Sequence, residues 1–205
     1  MKIFYIYSAL TTVGGADRVL IQKANWLADH GDDVTIVTES QANKAVAFPL
    51  SKNTRHVDLG VDFDQEYGHS LLMRTLIYYR LMWRYKKRLQ RFIIEEKPDI
   101  VITTLGRDLE ILVGMNDCSI KIGETHTTQN HLRNFHLMEQ RGGIYKLLAR
   151  YFRRKQVSMA KKLKALVLLT PQDEQDWHGV TKTYVIPNFI PSYPDSSAPL
   201  DNKRI

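Results

Sequence analysis

Two adjacent glycines, Gly14 and Gly15, lie between an apolar run, KIFYIY (2–7), and an amphipathic segment that ends at Gly31. Glycine lets backbone N–H groups approach a ligand without an intervening Cβ, and a helix that begins there directs its positive dipole end at the same point. The pattern therefore predicts a seat for a diphosphate. A tight strand-to-helix turn that merely needs glycine explains the same pair, so the pair alone leaves both interpretations open.

Two common phosphate-binding fingerprints are missing from this segment. The residues around the glycines do not form G-x-G-x-x-G, and no Gly-Lys-Ser/Thr follows them. An ordinary NAD enzyme and a P-loop NTPase are therefore disfavoured. Asp17 falls in the first turn of the predicted helix, where a carboxylate interacts favourably with the helix dipole.

A histidine, His126, follows a second apolar run, IKIGET (120–125), which contains Glu124. If this run is a strand of an open α/β sheet, both side chains project from its carboxyl end, where ligands bind in such folds. An imidazole can donate a hydrogen bond to charge that develops on a leaving group. A solvated loop histidine is the alternative interpretation.

A metal site is a further alternative for the same stretch, because His126, His131 and His136 follow Glu124 closely. Their spacings match neither His-x3-His nor a Glu-x-x-His helix pattern. The sequence therefore predicts no bound metal and no cofactor.

Two more polar residues follow apolar runs. Arg107 comes just after DIVITT (99–104) and is either a phosphate or acceptor contact or a plain surface residue. Asn188 follows Pro187 and either lines a cleft or forms a turn.

The strands and helices that position these residues are predicted from the alternation of β-rich apolar runs with helical patterns along the chain. Several runs are apolar on both faces, as in a parallel sheet covered on both sides. Thr170-Pro171 predicts a helix start and Lys97-Pro98 a helix stop. The sequence therefore predicts an α/β fold with a Rossmann-like parallel sheet flanked by helices on both faces. The predicted strands are 2–7, 33–38, 55–60, 99–104, 120–125, 165–170 and 183–188, and the predicted helices are 15–30, 70–96, 107–115, 142–163 and 171–177.

Charge is distributed unevenly. The chain carries a net charge of +7, but residues 74–97 carry +6 and residues 144–165 carry +8, so the remainder is net negative. Basic amphipathic helices can lie on anionic lipid or bind nucleic acid. We expect their apolar stripes to pack against the sheet and their basic faces to meet an anionic membrane, with no nucleic acid. The membrane-facing residues on the second helix are Arg150, Arg153, Arg154 and Lys155, and its apolar stripe is Ile144, Leu147, Leu148, Tyr151, Phe152, Met159 and Leu163.

Composition changes near the end of the chain. Residues 187–205 hold four of the seven prolines, which is typical of a linker. We expect a domain at 1–188 and a linker at 189–205 toward a further domain. The single cysteine, Cys118, and the lack of a signal-peptide h-region predict a cytoplasmic protein that can also attach to the inner face of the membrane.

Four segments, in order and at similar spacing, resemble the N-terminal domain of retaining glycosyltransferases of family 4, which have the two-domain GT-B fold. They are the glycine loop with the first helix and second strand (14–38), KPDIVITT (97–104), GETHTTQNH (123–131), and the pair of segments 168–177 and 185–190. The resemblance covers nearly the whole chain.

The resemblance implies a sugar-nucleotide-dependent enzyme whose reaction occurs between this acceptor-side domain and a donor-side C-terminal domain. The donor is expected to be a UDP-sugar, and the acceptor a lipid-linked or polysaccharide glycan of the cell envelope. His126 is expected to be catalytic, donating to the transferred sugar or its phosphate. The residues expected to contact donor or acceptor are Gly14, Gly15, Asp17, Arg107, Glu124 and Asn188. This chain alone is expected to be inactive.

A function from another class remains open. A non-catalytic basic α/β module that docks on anionic membrane or nucleic acid would carry the same charge pattern. A Glu-x7-Glu motif downstream of Ile205 would favour the enzyme.

Overall fold

The computed structural model describes residues 1–129 and 135–189. Seven strands form one sheet in the order β3-β2-β1-β4-β5-β6-β7, and each neighbouring pair is parallel. The strands are β1 (Lys2–Tyr7), β2 (Asp33–Thr38), β3 (Arg55–Asp58), β4 (Ile100–Thr103), β5 (Ile120–Glu124), β6 (Ala165–Leu168) and β7 (Thr183–Val185). The helices are α1 (Gly15–Asp29), α2 (Leu71–Glu96), α3 (Asp108–Val113), α4 (Phe135–Gln140), α5 (Gly143–Ala160) and α6 (Pro171–Asp176).

This architecture confirms the predicted Rossmann-like fold. Every predicted strand and helix is present, although five of the seven strands end one to three residues early. Two short elements were missed: α4 and a 3-10 helix at Phe63–Glu66. Both are single turns or little more, too short for a hydrophobic period to appear in the sequence.

Local chemistry explains the helix boundaries. The Thr170 hydroxyl accepts a hydrogen bond from the Asp173 backbone at 3.1 Å, with Pro171 at the first helical position. At the end of α2, Lys97 adopts the left-handed conformation with φ of 50° before Pro98. Both predicted boundaries are therefore confirmed.

Alternate residues of β1 face opposite sides of the sheet, and each side has its own helices. Ile3 and Tyr5 pack with α1, whereas Phe4 and Ile6 pack with α2 and α3. A third cluster joins α3, α5 and β6 around Trp177. Helices therefore cover both faces, with α1 on one and α2, α3 and α5 on the other.

The expectation that the apolar stripe of α5 is buried is wrong for its first half. Met159 and Leu163 pack in the core, but Ile144 is 67% exposed and Leu147 is 65% exposed. The reason is length, because 18 helical residues span about 27 Å whereas the five residues of β5 span about 16 Å. The first turns of α5 extend past the sheet and have no sheet surface to cover them.

Two further observations concern membrane-spanning helices and the predicted linker. Within the described residues, no helix combines the length and the hydropathy needed to cross a membrane. The predicted linker, apart from Phe189, lies outside the described residues.

Candidate functional site

The two glycines lie where β1 leads into α1, at the carboxyl edge of the sheet. Gly14 has φ of −109° and ψ of 159°, an extended conformation that any residue can adopt. A Cβ built on either Gly14 or Gly15 would meet no atom within 4 Å. The fold therefore does not demand glycine at these positions, in contrast to the tight-turn interpretation. The missing side chains leave open space in front of the start of α1, which has no side-chain cap.

Asp17 fixes the loop that carries these glycines. Its carboxylate accepts hydrogen bonds from the Tyr7 hydroxyl at 2.5 Å, from the Thr12 backbone at 3.1 Å and from the Thr12 hydroxyl at 2.9 Å. Burial and the hydrogen bond to Asp17 both raise the pKa of Tyr7, which therefore keeps its proton as a donor. Asp17 is buried, so its observed contacts are structural ones within the domain.

Glu124, at the end of β5, is the centre of a buried charged cluster. Its Oε1 lies 2.6 Å from Nζ of Lys23 on α1 and 3.2 Å from Nε2 of His126. The His126 side chain is only 9% exposed. Neither ring nitrogen makes an aligned hydrogen bond within residues 1–129 and 135–189, so Glu124 approaches Nε2 closely without hydrogen-bond geometry and Nδ1 has no protein partner there.

The electrostatics of the cluster favour a charged carboxylate. Burial acts to raise the pKa of Glu124, but the contacts with His126 and Lys23 outweigh it, and the pKa of that carboxyl lies below its ordinary value. A charged Glu124 therefore lies beside the imidazole edge that carries Nε2.

Arg107 forms a second pair at the same edge. Its guanidinium Nη1 lies 2.7 Å from Oε1 of Glu39, which follows β2, and the group stacks over the Phe63 ring at 4.4 Å from its centroid. Glu39 is 5% exposed, whereas Arg107 is 30% exposed. Arg107 is thus anchored on one side and reaches solvent on the other.

The carboxyl edge brings most of the predicted site residues to one line. Gly14 follows β1, Arg107 follows β4 and His126 follows β5, and these three strands are adjacent in the sheet. Two strand spacings, about 10 Å, separate the ends of β1 and β5. Asn188 is exposed after β7, and no hydrogen bond joins it to the Glu124 cluster within the described residues.

A groove of about 790 Å³ borders this line on the α1 side of the sheet. Lys23 and Glu124 form part of its wall, and Ile102, Ile122 and Val167 form part of its apolar floor. The charged cluster therefore faces a space large enough for a small ligand.

Sequence reasoning missed Lys23 and Glu39. Glu39 directly follows a predicted strand, and the rule that pointed to His126 applies equally to it. Lys23 gave no signal, because its partner lies 101 residues away in the sequence.

The four basic residues predicted to face a membrane divide into two pairs. Arg150 and Arg154 are exposed. Arg153 lies 3.1 Å from Glu139, and Lys155 lies 2.8 Å from Glu110.

No group of three or more His, Cys, Asp or Glu side chains with the arrangement of a metal site occurs among the described residues. His131 of the considered cluster lies outside them.

A family model described as Glycosyltransferase Family 4 matches residues 13–192. No curated protein matches the sequence. The sucrose-phosphate synthase from Thermosynechococcus elongatus is similar in structure, with a TM-score of 0.58 and 13% identity over 90% of this chain and 47% of that chain.

Two further solved structures are similar. Phytolacca americana UGT2, complexed with UDP-2fluoro-glucose and pterostilbene, has a TM-score of 0.55 at 12% identity, over 94% of this chain and 55% of that chain. The lipopolysaccharide outer core galactosyltransferase WaaB has a TM-score of 0.58 at 11% identity, over 93% of this chain and 46% of that chain. This chain thus spans about half the length of each, and the likeness concerns the fold.

Proposed function

The chain belongs to glycosyltransferase family 4 and has the architecture of the N-terminal half of a GT-B fold. On that basis we propose that it is the acceptor-side domain of a retaining enzyme that moves a sugar from a UDP-sugar to a lipid-linked or polysaccharide acceptor of the cell envelope. The reaction takes place between this carboxyl edge and a donor-binding domain. Residues 1–205 alone do not transfer sugar.

The open glycine loop is the observation that carries the proposal. Gly14 and Gly15 have no structural need to be glycine, since a Cβ on either would meet nothing within 4 Å. A ligand that approaches the backbone closely is a reason for their small size. The uncapped start of α1 offers N–H groups and a positive dipole end to a diphosphate.

His126 acts on the leaving phosphate in this proposal. In the imidazolium form, with a proton on each nitrogen, the ring directs Nε2–H toward Glu124 and can donate from Nδ1 to the phosphate oxygen as negative charge develops there. Nδ1 is buried in the free domain and has no hydrogen-bond partner among the described residues, so the ring must become accessible when the donor binds. Glu124, itself paired with Lys23, lies against the imidazole. Arg107, anchored on Glu39 and Phe63, presents a positive charge to the donor or acceptor from the neighbouring strand.

The protein works in the cytoplasm and attaches to the inner face of the membrane in this proposal. Arg150 and Arg154 are exposed on α5, and each basic residue near an anionic surface contributes about 1 kcal/mol. Such attachment would bring the carboxyl edge to an acceptor that is held by a lipid.

Sugar transfer by the full-length gene product tests the proposal. The assay supplies labelled UDP-sugars with lipid and glycan acceptors and compares wild type with Gly14→Ala. We expect transfer in the wild type and a loss in the variant, because a methyl group enters the diphosphate seat. Val13→Ala, in the same loop with Val13 at 85% exposure, is the matched control and keeps its activity.

Calorimetry on residues 1–205 provides a second measurement. We expect no tight binding of UDP- or GDP-sugars, because in the resembled family the ribose and sugar contacts belong to the donor-side domain. Sub-micromolar affinity for the isolated chain would contradict this division of labour. A full-length product that binds anionic membranes and transfers no sugar would favour the non-catalytic docking module.

A further inference from the structure

Two helices, α2 and α5, extend past the sheet on the side where the candidate site lies. Both return the chain to the amino edge, since the Asp99 backbone after α2 bonds to Lys2 and the Lys164 backbone after α5 bonds to Lys121. The 26 residues of α2 span about 39 Å, far more than the strands beneath them. The surplus length of each helix therefore projects at the carboxyl edge, in its first half.

These projecting halves carry a concentration of exposed apolar side chains. Among the described residues, eleven of the 21 exposed large hydrophobic side chains lie on these halves or directly beside them. We call this set the apolar shelf: Leu72, Met73, Leu76, Tyr79 and Trp83 on α2, and Ile144, Tyr145, Leu147, Leu148, Tyr151 and Phe152 on α5. A large exposed patch of this kind marks an interaction site on a soluble protein.

A groove of about 680 Å³ runs between the two helices beneath the shelf. Its wall contains the aromatic side chains of Tyr79, Trp83 and Phe152, and residues of α3 and α4 also line it. Methionines from three helices complete the lining, and flexible methionine side chains adapt to an irregular apolar ligand. They are Met82, Met138 and Met159.

The margin of the groove is positive. Lys86 and Lys155 line it, with Glu110 paired to Lys155 as the acidic residue among the lining side chains. Nζ of Lys87 lies 4.1 Å from the centroid of the Trp83 ring. A tryptophan with a basic neighbour suits the boundary between hydrocarbon and headgroups, where the ring is half buried and the ammonium group stays in water.

The chemistry of the shelf distinguishes among anionic partners. Nucleic-acid surfaces use aromatic rings to stack on bases. Ile144, Leu147 and Leu76 offer no such face, but they suit a hydrocarbon layer, and the basic residues beside them suit anionic headgroups.

We propose that the apolar shelf enters the hydrocarbon boundary of an anionic membrane and that the groove takes one hydrocarbon chain of an anionic amphiphile, with its headgroup beside Lys86. The choice of an anionic amphiphile as the ligand of the groove rests on the membrane attachment that is part of the proposed function. The shelf makes that attachment hydrophobic as well as electrostatic, and it lies at the carboxyl edge, where Gly14 and His126 also lie.

Fluorescence quenching by phosphatidylglycerol vesicles with brominated acyl chains tests the insertion. Trp26→Phe removes one of the two exposed tryptophans, which leaves Trp83 exposed and Trp177 buried. We expect the brominated acyl chains of phosphatidylglycerol to quench the fluorescence of Trp83 strongly. Phosphatidylcholine vesicles brominated in the same way should quench it little. Vesicle binding without quenching would overturn the insertion and leave the electrostatic attachment standing.

A matched pair of variants locates the contact. Ile144→Ser with Leu147→Ser should weaken binding to phosphatidylglycerol vesicles about tenfold, since two partly inserted aliphatic side chains are lost. Ile94→Ser, at a position that is 60% exposed on α2 but outside the shelf, should leave binding unchanged. Equal effects of the two changes would remove the shelf from the interaction.

Monomeric lysophosphatidylglycerol tests the groove itself. We expect saturable binding that Met159→Trp, which fills the groove, reduces at least tenfold, and weaker binding of lysophosphatidylcholine. Undiminished binding in Met159→Trp would overturn the proposal that the groove binds a hydrocarbon chain.

Other outcomes would assign the shelf differently. If the protein dimerises, does not bind vesicles, and loses dimerisation in the variant with Ile144→Ser and Leu147→Ser, the shelf is an interface with a second copy. Sugar transfer that persists without any lipid binding would leave the glycosyltransferase proposal intact and remove only this inference.

Discussion

The carboxyl edge and the apolar shelf depart from the usual distribution of residues in opposite directions. At the edge, Glu124 and Glu39 are buried charges, whereas Ile144 and Leu147 on the shelf are exposed hydrophobic residues. Buried charges and large exposed apolar patches are the informative exceptions in a globular protein. At the edge, the free-energy cost of burying the two carboxylates is offset within the domain, because each has a cation within 2.7 Å. The shelf side chains stay exposed within residues 1–129 and 135–189, and this difference is the reason for proposing a membrane as the partner of the shelf.

Removing the Glu124 carboxylate should have the largest effect on the stability of the carboxyl edge. Glu124→Ala leaves the Lys23 ammonium group, whose side chain is 18% exposed, without its partner. We expect a loss of about 2–3 kcal/mol in the free energy of unfolding, less than for a fully buried pair because Lys23 keeps some contact with solvent. Urea denaturation measures it. Glu110→Ala, which removes the exposed partner of Lys155, is the control and should cost no more than about 1 kcal/mol. Equal losses would mean that the buried cluster is no more than a surface ion pair.

The proposed catalytic role of His126 is tested by His126→Ala in the full-length gene product. We expect turnover to fall by ~10²-fold or more, because stabilisation of the leaving phosphate is lost, with the melting temperature little changed. His178→Ala, at an exposed histidine, should keep full turnover. Near-normal kcat in a folded His126→Ala protein would remove this histidine from the mechanism.

Two glycines of the edge should respond differently to one methyl group. A Cβ at Gly123 would lie 2.5 Å from Leu166 Cδ2 and 2.9 Å from Leu163 Cδ1, whereas one at Gly14 would meet nothing within 4 Å. Gly123→Ala should therefore destabilise the domain by about 1–3 kcal/mol. Gly14→Ala should leave thermal unfolding unchanged and affect only ligand binding. A melting temperature lowered equally by both would revive the tight-turn explanation for Gly14.

Vesicle binding through the basic residues of α5 should depend on which of them are paired with glutamates. Arg150→Gln with Arg154→Gln should weaken binding to anionic vesicles by about 2 kcal/mol, from about 1 kcal/mol per basic residue. Arg153→Gln with Lys155→Gln should weaken it less, because both are paired with glutamates. Vesicle co-sedimentation measures both. Salt should reduce the difference, since the Debye length falls from about 10 Å at 0.1 M to about 3 Å at 1 M. Identical binding to neutral and anionic vesicles would show that these charges are merely solvated.

The smallest expected effect is a change in the pH dependence of stability. The contacts with His126 and Lys23 keep the pKa of Glu124 below its ordinary value in the folded state. Their stabilisation is present above the unfolded pKa, near 4.5, and is lost as the pH falls through the lower folded pKa. The free energy of unfolding should therefore fall more steeply below about pH 5 in wild type than in Glu124→Gln. Parallel profiles would contradict the lowered pKa.

Much of the fold and part of the site were determined by the sequence alone. Hydrophobic periodicity, Thr170-Pro171 and Lys97-Pro98 are local signals, and local signals fixed the order and type of nearly every element. Because ligands gather at the carboxyl ends of parallel strands, the same order also led to Gly14, Arg107 and His126.

Only the tertiary structure decided which side chains are paired and which surfaces are covered. Lys23 meets Glu124 across 101 residues, and Arg107 meets Glu39 across 68, distances over which a sequence pattern carries no pairing information. The apolar stripe of α5 has the periodicity of a buried helix along its length. Its first half is exposed because the strands beneath it end sooner than the helix does, and burial depends on that relative length, which is a property of the packed molecule.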